Sequence, residues 1–381
     1  MTSADPPRLI GTDGLGALFT VLRERGYTVV GPTARDGAVV LAELASAEQL
    51  PSGWSAGTEA GRYRLRRRED GAVFAHCAGP VSAKTFVHPP RARLWSADRA
   101  PDGTVTTTGP EAPAKRFAFV GVHPCDVAAL GVLDRVLAGG EHPDPIYTAR
   151  RDGTFVVVAE CTEPAATCFC TSMGTGPGAT SGFDLALTEL LDGEHRFLAR
   201  SGSPAGAEVL AALPSRQAGE GDLAAASAAV RDAAAAITRH MPDEPLPALM
   251  AATRESPHWA DVASRCLTCG NCTMVCPTCF CVTTEDVTDL TGGHAEHLRR
   301  WDSCFGLDFS YVHGGAVRTS TASRYRQWIS HKLGTWQDQF GMSGCVGCGR
   351  CIAWCPAGID ITREAAALAA SRGEPSGGAE P

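Results

Sequence analysis

The sequence carries two copies of one short cysteine pattern near its end. Each copy reads Cys-x2-Cys-x2-Cys-x3-Cys-Pro, and the copies comprise Cys266, Cys269, Cys272, Cys276 and Pro277, then Cys345, Cys348, Cys351, Cys355 and Pro356. Bacterial ferredoxins use this spacing to hold [4Fe–4S] clusters through cysteine thiolates. With 16 cysteines in 381 residues, one such spacing would occur by chance about 0.001 times in the chain. The motif therefore predicts a chain that binds iron–sulfur clusters and carries electrons.

The two motifs are expected to share their ligands. In two-cluster ferredoxins the fourth cysteine of each motif ligates the cluster held by the other motif. We therefore assign one cluster to the first three cysteines of the first motif plus the last of the second, and the other cluster to the converse set. These sets are Cys266, Cys269, Cys272 and Cys355, and Cys345, Cys348, Cys351 and Cys276.

Zinc and disulfide bonds are the competing uses of so many cysteines. Zinc usually takes separate Cys-x2-Cys pairs rather than three cysteines in series closed by Cys-Pro. Disulfides are disfavoured because the first residues of the sequence lack the basic and apolar segments of a secretory signal. We therefore expect a cytoplasmic protein, in which thiols stay reduced.

Composition limits the remaining classes. A hydrophobic content of 44% supports real cores, and no apolar run approaches the roughly 18 residues that a membrane span requires. The formal net charge of -8 argues against general binding to nucleic acid. A soluble globular protein with two or three domains is expected.

The predicted fold class is α+β. An N-terminal mixed α/β domain is expected over residues 1–245, with strands at 27–30, 61–68, 72–76, 117–122 and 155–159. The second and third of these strands are expected to pair as a hairpin. A mainly helical, two-cluster ferredoxin-like domain is expected over 246–370, with a long insertion at 277–344. The final residues, 371–381, are rich in Gly, Pro, Glu and Ser, which predicts a disordered tail.

Four further cysteines could form a third centre. The strands at 117–122 and 155–159 flank a helix, which predicts a βαβ unit with parallel neighbouring strands. Cys125 and Cys161 would then leave the same sheet edge, the edge at which open α/β sheets bind ligands, and Cys168 and Cys170 follow on the second loop. The alternative is that these are ordinary buried cysteines that need no metal.

The remaining cysteines receive weaker assignments. Cys279, Cys281 and Cys304 are either buried structural thiols or groups that pack near the first cluster, and Cys77 is expected to be structural. A helix predicted over 323–333 carries Arg324, Arg326 and Lys332. That basic face is either solvated or docks an acidic partner.

The whole chain resembles the iron–sulfur β subunits of cytoplasmic, NAD(P)-linked nickel–iron hydrogenases (sulfhydrogenases), and the related electron-transfer subunits of anaerobic sulfite reductases. The segments that carry the resemblance are 121–126, 168–174, 266–281, 301–304 and 345–351. The ferredoxin motifs alone are generic, whereas Cys-Phe-Cys and Trp-Asp-Ser-Cys in this order are typical of the family.

The resemblance implies an electron-transfer subunit with no substrate chemistry of its own. Its expected partners are a flavin subunit that exchanges hydride with NAD(P) and a catalytic nickel–iron hydrogenase subunit. A sirohaem sulfite reductase subunit is the alternative catalytic partner. A redox sensor, from a different class, is disfavoured because the sequence shows no basic helix-turn-helix output module.

Overall fold

The computed structural model describes residues 6–110 and 115–372, and it is an α+β protein. The strands, in chain order, are β1 (Arg8–Gly11), β2 (Tyr27–Arg35), β3 (Ala38–Glu43), β4 (Trp54–Glu59), β5 (Arg62–Arg67), β6 (Arg91–Arg99), β7 (Val105–Thr108), β8 (Arg116–Val122), β9 (Phe155–Ala159), β10 (Leu185–Leu190), β11 (Arg196–Ser201), β12 (Arg216–Gln217), β13 (Val282–Thr288), β14 (His294–Trp301), β15 (Tyr311–Val312) and β16 (Gly315–Ala316).

The helices are distributed along the whole described chain. In order they are α1 (Thr12–Glu24), α2 (Lys84–Val87), α3 (Pro124–Leu137), α4 (Pro145–Arg151), α5 (Cys170–Met173), α6 (Pro204–Ala211), α7 (Glu220–Ala236), α8 (Leu246–Ala252), α9 (His258–Arg265), α10 (Asn271–Met274), α11 (Thr321–Ser330), α12 (Trp336–Phe340), α13 (Arg350–Ala353) and α14 (Ile361–Ser371). A π-helical turn, His331–Thr335, joins α11 to α12. None of the helices in the described segments combines the length and apolar composition that crossing a lipid bilayer requires.

The largest sheet has eight strands in the order β12-β1-β11-β10-β9-β8-β2-β3. Its four central strands, β10, β9, β8 and β2, run parallel, and the outer pairs are antiparallel. All residues of β9 are buried, as expected for a parallel strand covered on both faces. Apolar residues of α1 and α6 pack on one face, and those of α3 and α4 pack on the other.

The parallel βαβ prediction is confirmed, because β8 and β9 are parallel neighbours joined through α3. The strand predicted at 72–76 is wrong, since this segment crosses the chain as irregular backbone. Its amide groups are held by a side chain instead of a neighbouring strand: the buried carboxylate of Glu189 accepts hydrogen bonds from Val73 N (2.6 Å) and Phe74 N (2.9 Å). The hairpin expected to link this segment to 61–68 is therefore replaced by the β4–β5 pair.

A second, four-stranded antiparallel sheet has the order β13-β14-β6-β7. Its β13 and β14 come from the insertion between the cysteine motifs, whereas β6 and β7 come from the N-terminal half of the chain. The insertion is thus anchored by main-chain hydrogen bonds from β14 to β6. The boundary at residue 245 stays a prediction. Of the predicted tail, Ser371 ends α14, and 373–381 lie outside the described residues.

Candidate metal centres

The first cysteine motif forms a loop after α9. Cys266 and Cys269 lie on this loop, which turns at Gly270 with φ +71°, and Cys272 follows in α10. Glycine adopts this left-handed conformation without the steric cost of a Cβ atom. Cys355, from the end of the second motif, lies against the same loop.

These four thiols, of Cys266, Cys269, Cys272 and Cys355, line one cavity of about 460 Å³. Most of the other lining side chains are apolar or aromatic: Leu267, Phe305, Tyr325, Trp328, Ile359 and Ile361. A [4Fe–4S] cluster requires four thiolate ligands and is commonly shielded from water. The donor set and the apolar lining therefore fit such a cluster.

Main-chain amides point at two of these sulfurs. Thr268 N donates to Cys266 Sγ over 3.4 Å, and Ile359 N donates to Cys355 Sγ over 3.3 Å. Thr268 has φ +49°, a conformation that β-branched residues rarely adopt and that is enriched at functional sites. The loop backbone is thus shaped to present hydrogen-bond donors to sulfur.

The second predicted ligand set is also brought together. Cys276 lies within electrostatic range of Cys345, Cys348 and Cys351, although it belongs to the other motif. Burial raises the pKa of Cys345 to about 12. The pKa of Cys276 is held well below its usual range because the Cys279 thiol donates a hydrogen bond to it. Cys276 is therefore the most anionic sulfur of this group.

The third predicted set lies at the carboxyl ends of β8 and β9. Cys125 is in the first turn of α3, directly after β8, and Cys161 follows β9 by two residues. Together with Cys168 and Cys170, they line a cavity of about 390 Å³. Four thiols again match the donor number of a [4Fe–4S] cluster. The third cluster itself stays a prediction.

Two further cysteines line this third cavity, Cys77 and Cys348. Cys77 Sγ lies 3.4 Å from Cys161 Sγ, and its thiol also forms a hydrogen bond with Cys168. Cys77 therefore contacts two of the candidate ligands, whereas the sequence suggested only a structural role for it.

The sequence missed Cys77 because tertiary contacts place it. The next residue, Ala78, has φ +55°, and its carbonyl accepts a hydrogen bond from Trp354 Nε1 (2.7 Å). Arg350 Nε likewise donates to Gly79 O (2.8 Å). Both donors lie in the ferredoxin-type segment, 276 and 271 residues away in sequence, so no local pattern could have shown these contacts.

The second motif packs directly on the third centre. A Cβ atom at Gly347 would lie 2.6 Å from the Cα of Cys170, and one at Gly349 would lie 2.2 Å from the carbonyl oxygen of Thr167. Phe169 N also donates to Gly347 O over 2.8 Å. Only glycine permits this approach, which brings Cys348, between the two glycines, into the wall of the third cavity.

A buried ion pair joins the same two regions. Arg350 Nη2 lies 2.9 Å from Asp126 Oδ1, and their side chains are only 5% and 4% exposed. Asp126 belongs to α3 and Arg350 to α13. Next to them, His123 contacts the carbonyl oxygens of His76 (2.5 Å) and Ala159 (3.2 Å). Burial lowers the pKa of His123.

The last group of cysteines lies beside the second ligand set. The Cys304 thiol donates to Cys281, which lowers the pKa of Cys281 to about 7. Lys84, itself buried, donates to the carbonyl oxygen of Cys279 over 3.0 Å and lies 3.9 Å from the centroid of the Trp301 ring. These residues therefore surround the predicted clusters.

Comparison with known proteins agrees with this geometry. Residues 265–359 match the family model described as a 4Fe-4S dicluster domain. The chain is 37% identical over 248 residues to sulfhydrogenase 2 subunit beta of Pyrococcus furiosus, which covers 64% of this chain and 72% of that protein. No solved structure matches the chain.

Proposed function

We propose, because the chain belongs to the family of sulfhydrogenase β subunits, that it is the electron-transfer subunit of a cytoplasmic hydrogenase complex. In this proposal it relays single electrons between a flavin subunit that binds NAD(P) and a catalytic nickel–iron subunit. The observation that carries the proposal is the arrangement of the cysteines of a 4Fe-4S family match around adjacent cavities. No substrate chemistry is assigned to the chain itself.

Three groups of cysteines would hold the clusters. The first is Cys266, Cys269, Cys272 and Cys355, the second is Cys345, Cys348, Cys351 and Cys276, and the third is Cys125, Cys161, Cys168 and Cys170. When bound, a [4Fe–4S] cluster accepts and donates one electron at a time. The protein's task is to hold the sulfurs, exclude water and supply hydrogen bonds.

The order of the centres follows from cysteines that serve two cavities. Cys351, assigned to the second set, also lines the first cavity, and Cys348, of the same set, lines the third. This sharing supports a sequence in which the second centre lies between the other two. Electrons entering at either end would then meet the second centre next.

The first centre is the candidate point of contact with a partner subunit. Cys269 is exposed, and the neighbouring Leu267 keeps 64% of its surface accessible. An exposed leucine beside an exposed ligand suits a protein contact better than water. The third centre, by contrast, is enclosed by buried cysteines, including Cys77 and Cys161.

The proposed compartment rests on the state of the thiols. All sixteen cysteines lie within the described residues, and each is free of a disulfide bond. Reduced thiols in this number are typical of the cytoplasm.

The identity of the catalytic partner is tested by purifying the native complex under argon through a tag on this chain. We expect co-purification of a subunit that contains nickel, together with a flavin subunit, and hydrogen-dependent reduction of NAD(P). Metal analysis and the visible spectrum read out both possibilities. Sirohaem absorption without nickel would contradict the hydrogenase assignment and favour the sulfite reductase alternative.

A further inference from the structure

Lys332 is a buried cation with an unusual set of neighbours. The sequence placed it on the basic face of a helix, but only 2% of its surface is exposed. It lies in the π-helical turn His331–Thr335 that follows α11. The wider turn changes the direction of the side chain relative to a continuous α-helix, and π-turns are frequent at functional sites.

The Nζ atom of Lys332 has three acceptors. It lies 3.4 Å from Cys276 Sγ, 3.1 Å from Thr278 Oγ1 and 3.0 Å from Gly344 O. An ammonium group has three N–H donors, so these contacts satisfy the charged form. Across the described segments, no carboxylate forms an ion pair with Lys332.

A buried charge is costly unless an opposite charge accompanies it. Among the three acceptors of Lys332, only Cys276 can carry a negative charge. The geometry therefore assigns the counter-charge of Lys332 to the sulfur that belongs to the second ligand set.

The other centres lack such a charged donor to sulfur within the described residues. In the first centre, the sulfurs of Cys266 and Cys355 accept bonds from main-chain amides, which are neutral. Arg324 is within electrostatic range of Cys266, but its Nη1 donates to Phe305 O instead of sulfur. At the third centre, the charge of Arg350 is balanced by the carboxylate of Asp126.

We propose that Lys332 is a tuning residue that makes the second centre the most readily reduced of the three, an inference that rests on the proposed function. Reduction adds a negative charge to a cluster, and a cation hydrogen-bonded to a ligand sulfur stabilises that added charge. Because the second centre adjoins both others, an electron would rest in the middle of the chain. Lys332 acts on the cluster through Cys276 and touches no substrate.

The test is an anaerobic redox titration of the full chain, followed by electron paramagnetic resonance. Lys332→Met should lower the equilibrium constant for reducing one cluster at least tenfold, which corresponds to 59 mV for one electron. The affected signal should be the one that Cys276→Ser alters. Lys332→Arg keeps the charge and should stay within about threefold of the unmodified chain.

Lys84→Met is the matched control, because Lys84 is also buried but donates to the carbonyl oxygen of Cys279. It should shift the same signal less than Lys332→Met does. An unchanged signal in Lys332→Met, an equal shift of every signal, or an equal shift in Lys84→Met would overturn the inference.

A merely structural role for Lys332 is separable from tuning. If Lys332→Met does not retain its iron, Lys332→Gln provides neutral donors of similar reach, and its failure to assemble as well would also count against tuning. If the unmodified chain assembles no clusters at all, the proposed function fails, whereas assembled clusters with unshifted potentials contradict the role of Lys332 alone.

Discussion

Replacing Arg350 by Met is expected to destabilise the protein by about 3–5 kcal/mol, because it leaves the carboxylate of Asp126 buried without its partner. The two side chains are 2.9 Å apart and almost fully buried, and they join α3 to the second cysteine motif. The measurement is urea denaturation under argon, followed by circular dichroism. Loss of the hydrogen bond from Arg350 Nε to Gly79 O should add to the effect.

An exposed ion pair supplies the control for this prediction. Arg25 and Glu208 are 3.1 Å apart, but their side chains are 38% and 69% exposed, so Arg25→Met should cost at most about 1 kcal/mol. Adding Asp126→Asn to Arg350→Met should recover part of the loss, since it removes the uncompensated charge. Equal effects of Arg350→Met and Arg25→Met would show that the buried pair does not hold the two regions together.

Replacing Cys355 by Ser is expected to remove the first cluster while leaving the others. Cys355 shares its cavity with Cys266, Cys269 and Cys272 rather than with the other cysteines of its own motif alone. The iron content should fall by about four atoms per chain, the content of one cluster. The lost electron paramagnetic resonance signal should be the one that Cys269→Ser also removes.

Cys304→Ser is the matched control for ligand loss, because Cys304 is buried near the clusters but lies outside the predicted ligand sets. It should keep the full iron content. If Cys355→Ser instead removed the signal that Cys348→Ser removes, the ligands would be arranged motif by motif, and the crossed assignment would be wrong.

Much of the candidate site could be predicted because its signals are local. Residues two or three positions apart set the ferredoxin spacing, and the apolar runs of β8 and β9 predicted parallel neighbours. Once β8 and β9 are adjacent, Cys125 and Cys161 must leave the same edge of the sheet. Topology thus converted two distant cysteines into one candidate centre.

The features that the sequence did not predict depend on long-range contacts. Cys77 reaches the third cavity because Glu189 captures the amides of Val73 and Phe74, so a segment with strand-like composition does not pair as a strand. Lys332 turns inward because a π-turn interrupts its helix. Neither event leaves a periodic pattern that a short window of sequence could show.

The central claim is that this chain holds clusters and conducts electrons, and an anaerobic reductive titration of the intact chain tests it most directly. The account predicts about twelve irons and twelve sulfides per chain, which is three clusters of four irons, and uptake of about three electrons as the visible absorbance bleaches. About eight irons would contradict the third centre. Stoichiometric zinc in place of iron, or iron-loaded protein that accepts no electrons, would contradict the account as a whole.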